Sequence, residues 1–245
     1  QWYYSDTLAL KGMRAREVSP AEAPELHALV DRLAALADMK KPRVAISVSD
    51  VPNAFATGRS EDRAVVAVTT GLMKRLDERE MEAVLSHELS HIAHKDVTVM
   101  TVASAVGVIA GFMIRSAMWS SMGRRDQNSA AMFFIFMLIG VVVYAISFVL
   151  TRVLSRYREL AADRAGAILT GQPAALASAL NKISGDMTRI PSRDLRAAEP
   201  YNAFFIYPAF TNKSFDLGSL FATHPPLDKR LDQLAKISAE LGRPM

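Results

Sequence analysis

The chain has 245 residues, enough for one sizeable domain or for one domain carrying a membrane hairpin. It contains no cysteine, which excludes disulfides, iron–sulfur clusters and cysteine nucleophiles, and confines any zinc site to histidine and carboxylate ligands. A net charge of +4 and a pI near 9.4 are mildly basic without any long Lys/Arg run, a balance that suits a membrane protein with basic flanks.

The chain opens Gln1-Trp2-Tyr3-Tyr4, aromatic residues of the kind found at the interfacial end of a membrane helix, so a hydrophobic segment is expected upstream. Ser19-Pro20-Ala21-Glu22 reads as a helix start, with Ser19 the N-cap, Pro20 the first helical position and Glu22 closing a capping box. Leu26, Leu29, Val30, Leu33 and Leu36 then recur at helical spacing, and His27 among them reads as structural. Pro42 ends this helix. Residues 44–49 and 64–69 read as strands, and Asn53-Ala54-Phe55-Ala56 as a short extended segment of the same small sheet. That segment is expected to be either an inner strand or an edge strand; an edge could pair with an extended peptide by main-chain hydrogen bonds.

Asp77 is a plausible N-cap with Glu80 three residues on, opening a helix that carries His87-Glu88-Leu89-Ser90-His91. Histidines four apart project from one helix face, where both can bind a single Zn²⁺ at about 2.0–2.1 Å. Glu88 lies beside that face and can take a proton from a metal-held water; H-E-x-x-H on a helix is the metalloprotease signature. The flanks Met81, Ala83, Val84, Leu85, Leu89 and Ile92 are apolar, and burying these polar groups without a metal or partners would be costly.

Residues 97–114 and 130–151 carry no charge and approach or exceed the length that spans a bilayer core. Gly107 and Gly111 form a G-x-x-x-G pair that would allow close helix packing, and Trp119 in the polar link at 116–129 is placed as an interfacial anchor. Two crossings return the chain to the side it left. That side holds Lys95, Arg152, Arg156, Arg158 and Arg164, against Arg115, Arg124, Arg125 and Asp126 on the other, so the positive-inside rule puts it in the cytoplasm.

Beyond the second apolar run, Glu159 and Asp163 stand four apart on an alanine-rich helix. Glu159 could complete a two-histidine, one-glutamate site with an open fourth position, and Asp163 could accept a hydrogen bond from a ligating imidazole. A metzincin arrangement fails, because the positions it needs hold His94 and Val97; His94 reads as structural or interfacial. Residues 174–180 read as a packed helix, 191–221 as a long loop or lid, and a last helix from Pro225 puts Leu227, Leu231 and Leu234 on its inner face.

Taken together, Asn53-Ala54-Phe55-Ala56, His87-Glu88-Leu89-Ser90-His91 followed by Asp96, Glu159-Leu160-Ala161-Ala162-Asp163, and Thr223-His224-Pro225-Pro226 with Arg230 resemble the HtpX-like heat-shock metalloproteases, relatives of the CAAX prenyl endopeptidases. The resemblance runs through nearly the whole chain in order. It implies a gluzincin-type zinc metalloprotease of the bacterial inner membrane, multi-pass, with two further N-terminal membrane segments. Such an enzyme serves stress response and protein quality control, degrading damaged or misassembled membrane proteins on the cytoplasmic side. It further implies Glu159 as third ligand, Asp163 as its supporting partner, residues 53–56 as a substrate-pairing edge strand, and His224 and Arg230 near the site.

The expected fold is mainly α with a small β-sheet. Residues 1–96 and 152–245 form the metalloprotease domain, interrupted by a transmembrane hairpin at 97–151. The expected function is a membrane-anchored zinc endopeptidase with one Zn²⁺ held by His87, His91 and Glu159, with Glu88 as general base. Its partners are unfolded proteins and the lipid bilayer, with no nucleic acid. A zinc-binding scaffold or chaperone without proteolysis, and a transporter, are the competing readings; the acidic and histidine residues cluster outside the apolar runs, which weighs against the second.

Overall fold

A computed structural model describes residues 5–58, 60–121, 127–187, 205–206 and 224–243. The expected upstream aromatic end and nearly all of the loop at 191–221 lie outside the described residues. The order is α1 (Ser5–Gly12), β1 (Ala15–Glu17), α2 (Pro24–Leu36), β2 (Arg43–Ser47), β3 (Ala54–Thr57), β4 (Val65–Thr69), α3 (Thr70–Met73) and α4 (Glu78–Ala93). Then follow α5 (Asp96–Ser121), α6 (Gln127–Thr170), α7 (Pro173–Met187) and α8 (Leu227–Glu240), giving a mainly helical protein with one small sheet.

The sheet is mixed, in the order β1-β2-β4-β3. Strand β4 pairs parallel with β2, Arg43 opposite Val65, and antiparallel with β3, Ala54 opposite Val68. Its run Val65-Val66-Ala67-Val68 is buried throughout, as a strand covered on both faces requires. Val66 and Val68 enter the main core with α2, α4 and α7, while Val65 and Ala67 meet Phe55 and Ala9 of α1 on the other face. Strand β3 is thereby left at an edge.

Helix α2 starts at Pro24, not at Pro20. The Ser19–Glu22 bonds do form, Ser19 N and Oγ donating to Glu22 at 2.7 and 2.9 Å, but they close a turn, and Pro24 fits the first helical position. His27 is buried, with Nε2 3.0 Å from the Val18 carbonyl, a packing role. The Asp77–Glu80 capping box is present, and Glu80 reaches on to Lys182 and Ser178 of α7 at 2.7 Å, fixing α4 to its neighbour.

Helices α5 and α6 form an antiparallel pair with apolar stretches, Asp96–Ser116 and Phe133–Thr170, long enough to cross a membrane. Large side chains such as Val102, Phe112, Trp119, Phe134 and Leu138 are exposed along them, a surface suited to lipid and costly in water. Both helices outrun their apolar cores: α5 continues to Ser121 and α6 begins at Gln127, so most of the expected polar link is helical. α6 also runs unbroken past residue 151, because no Gly or Pro interrupts the sequence between Gly140 and Gly166. The glycine packing differs from the expected pair. A Cβ on Gly107 would meet Ser147 Oγ at 3.0 Å, but one on Gly111 would meet nothing within 4 Å; Gly140, against Ile114 at 2.5 Å, provides the second close approach.

Candidate metal centre

Helix α4 is buried along nearly its whole length between the sheet, α6 and α7, so its polar residues need partners inside the protein. His87 and His91, one turn apart, point their rings into the space between α4 and α6, with centroids 4.8 Å apart. Glu159 of α6 enters that space from the opposite side. Its Oε2 lies 3.8 Å from His87 Nε2 and its Oε1 3.5 Å from His91 Nε2, and the two Nε2 atoms are 3.2 Å apart. Glu88, on the adjacent position of α4, is buried and takes a hydrogen bond from the Ala56 main chain of β3.

Close approach of α6 to α4 depends on small residues. Ser86 Oγ donates to the Gly166 carbonyl at 3.1 Å and Ser90 Oγ to the Ala162 carbonyl at 3.4 Å. A Cβ on Gly166 would stand 2.9 Å from the His87 backbone nitrogen, closer than any side-chain carbon can sit. Gly166→Ala is expected to push α6 away from His87, destabilising the protein by about 1–3 kcal/mol and weakening metal retention. Thermal unfolding and metal content of the purified variant check this; unchanged values for both would show that the helices can spread without consequence.

Both imidazoles are anchored through Nδ1. His91 Nδ1 donates to Asp96 Oδ2 at 2.6 Å, and Arg158 approaches the same oxygen at 2.7 Å. His87 Nδ1 meets Asp163 Oδ1 at 2.9 Å, an ion-pair distance without the aligned N–H of a hydrogen bond. Asp163 is fully buried and held by a two-pronged contact, Arg230 Nε to Oδ2 at 2.7 Å and Nη2 to Oδ1 at 2.6 Å. The third arm of Arg230, Nη1, donates to the Ile206 carbonyl at 2.8 Å, and Ile206 N donates to Asn53 Oδ1 at 3.0 Å, just before β3. His224 Nδ1 donates to Glu159 Oε2 at 3.0 Å, and its Nε2 is buried with no bond among the described residues. His94 caps the end of α4, Nδ1 against the Ser90 carbonyl at 2.7 Å.

These groups fit a divalent cation. Four ligands at about 2.0–2.1 Å in a tetrahedron stand about 3.4 Å apart, close to the 3.2 Å between the two Nε2 atoms and to the 3.5 and 3.8 Å from these to the nearer Glu159 oxygens, Oε1 and Oε2. Among the described residues, His87, His91 and Glu159 are the group whose atoms converge within 4.8 Å. Four carboxylates here (Glu88, Asp96, Glu159 and Asp163) face two guanidiniums (Arg158 and Arg230), leaving two negative charges. The protonation tendencies show the same deficit. Burial pushes Glu88 up to about 8, with Glu159 adding to the rise against His91 and Arg230. Burial works to lower His91, yet Asp96, Glu159 and Glu88 raise it above the usual histidine range. A bound cation would supply the charge that these groups otherwise draw from protons.

A cleft of about 270 Å³ opens over the cluster, bordered by Phe55, Ala56 and Thr57 of β3, by Met100 and Ser155 of the hairpin, and by Phe205, Ile206 and His224. The edge position of β3 resolves the expected alternatives of inner and edge strand. Sequence reasoning assigned no part to Gly166, Phe205 or Ile206, used Arg158 only as a basic flank of the hairpin, and used Asp96 only as a motif residue. A detectable signal was the opposite-charge pair Asp96 and Arg158 standing at the two ends of an apolar hairpin, one of them beside Glu159.

A helix bearing H-E-x-x-H that faces a glutamate on a second helix defines a metallopeptidase of the gluzincin type. This chain belongs to peptidase family M48, whose family model matches residues 20–238. It is 59% identical over 244 residues to protease HtpX homolog 1 of Streptomyces coelicolor, covering 99% of this chain and 80% of that protein. The protease HtpX homolog of Moorella thermoacetica is 54% identical over 244 residues, covering 98% of this chain and 81% of that protein, and that of Pyrococcus furiosus 41%, covering 98% and 83%. Among solved structures, Ste24p of S. mikatae shares the fold with a TM-score of 0.58 at 18% identity, covering 92% of this chain and 53% of that one.

Proposed function

We propose that this protein is a membrane-anchored zinc endopeptidase that hydrolyses peptide bonds in damaged or misfolded proteins, membrane proteins included. The convergence of His87 Nε2, His91 Nε2 and Glu159 at tetrahedral spacing beside the buried Glu88 carries the reading. Zinc bound there supplies a Lewis acid that makes water nucleophilic near neutral pH and polarises the scissile carbonyl. Glu88 takes the proton of the attacking water and returns it to the leaving amine. Asp96 and Asp163 hold the two imidazoles in orientation, and Arg230 keeps Asp163 in place. His224 steadies Glu159 through Nδ1, and its buried Nε2, with no bond among the described residues, lies beside the place where the oxygen of the tetrahedral state would gain charge.

Substrate is proposed to lie extended along the outer edge of the sheet at Asn53, Ala54, Phe55 and Ala56, of which Phe55 and Ala56 border the cleft. Main-chain pairing asks little of side-chain identity, which suits unfolded segments. The basic side of the hairpin, with Lys95, Arg152 and Arg156, would face the cytoplasm of a bacterial inner membrane, so the metal site would work there. Removing metal from the detergent-purified protein with a chelator should abolish cleavage of an unfolded protein, and about one equivalent of Zn²⁺ should restore it. Cleavage that survives chelation, or a protein that takes up no zinc, would overturn the proposal.

A further inference from the structure

The metal-bearing helix α4 ends where the chain enters the hairpin, and an ion pair closes the hairpin at that point. Asp96 is the first residue of α5, and Arg158 stands on α6 directly before Glu159. Arg158 Nη2 lies 2.7 Å from Asp96 Oδ2, and the same oxygen receives His91 Nδ1 at 2.6 Å. Both side chains are largely enclosed, with 18% and 7% of their surface exposed, and Arg158 Nε is buried without a bond among the described residues. An arginine held in this position with a donor unsatisfied sits at a local cost, whereas a solvent-facing rotamer would cost little. Without the guanidinium, the side-chain contacts of the Asp96 carboxylate among the described residues reduce to one ring N–H, too little to hold it in a single position.

We propose that Arg158 is a positioning residue for the metal ion, acting through Asp96 on the ring of His91. The guanidinium fixes the Asp96 carboxylate, the carboxylate fixes the proton on Nδ1 and the tilt of the ring, and Nε2 is left facing the cluster. One residue thus connects a ligand on α4 with the roots of both hairpin arms, while its neighbour Glu159 supplies a ligand directly. This inference rests on the zinc reading above.

The test is zinc affinity, measured by competition with a chromophoric chelator on the full chain in detergent. It compares the unaltered protein with Arg158→Gln, Arg158→Lys, Asp96→Asn and the Arg158→Gln/Asp96→Asn pair. Arg158→Gln is expected to weaken affinity by about 10–100-fold, with Asp96→Asn similar. The double variant should be no weaker than the weaker single one, since both break the same link. Arg158→Lys should recover part of the loss and guards against a folding defect in the Gln form. A purely structural ion pair would lower the unfolding temperature of the metal-free protein and leave affinity alone. Affinity of Arg158→Gln within threefold of the unaltered chain, or losses that multiply in the double variant, would overturn the proposal. Absence of zinc from the unaltered chain would overturn it together with the metal reading.

Discussion

Glu88→Gln is expected to lower turnover of an unfolded protein by roughly 10²–10⁴-fold, the range assigned to a general acid–base, while zinc stays at one per chain. The amide keeps the size of the carboxylate and its place beside Ala56, so neither packing nor the three ligands should change. What it loses is the capacity to accept a proton. Turnover by single-cycle mass spectrometry, paired with metal analysis on the same sample, separates the two effects. Equal turnover in both forms would remove Glu88 from the mechanism and favour a scaffold that binds zinc without cutting.

A second large effect is expected at Arg230, which has no part in proton transfer. Its side chain is 1% exposed and pairs with the fully buried Asp163, so truncation to Ala strands a carboxylate inside the protein. Breaking a buried pair of this kind costs about 3–5 kcal/mol. The loss should spread in two directions: to His87 through Asp163, and to Asn53 and the β3 edge through Ile206. Arg230→Lys should not rescue, because one ammonium cannot span both Asp163 oxygens and the Ile206 carbonyl. Denaturant unfolding and zinc content of the two variants decide the point. A change under about 1 kcal/mol in either would mean that the pair is stabilising nothing.

The contrast between these two residues shows which parts of the site can be read from sequence. Glu88, His87 and His91 lie within one helical turn, and the spacing itself declares a shared face. The Asp77 cap is just as local. Glu159 was accessible because its own helix repeats an acid four residues later, at Asp163. Arg230 belongs to a helix whose leucine pattern says only that one side is buried, and its partner stands 67 positions away. No periodicity reports such a pairing. Asp96 and Arg158 leave a fainter trace, opposite charges at the two ends of an apolar hairpin, because they are brought together only when the hairpin closes. Gly166 looks like one more small residue in an alanine-rich stretch until the backbone of His87 is set against it. Local signals also mislead where two compete: the Ser19–Glu22 signature makes its bonds, yet Pro24 sets the start of α2.

Helix α6 passes without a break from the exposed apolar segment at Phe133 to Glu159 and beyond. It therefore behaves as a lever about 39 Å long at 1.5 Å of rise per residue. Tilting such a lever by about 3° about its far end sweeps the carboxylate sideways by about 2 Å, some ten times the tolerance of a metal–ligand bond. A helix seated in a bilayer adjusts its tilt to the thickness of the hydrocarbon around it. With zinc bound and the hairpin in a bilayer, lipid chain length and coordination geometry would then be two readings of one angle, and the surrounding membrane would be part of what tunes the metal.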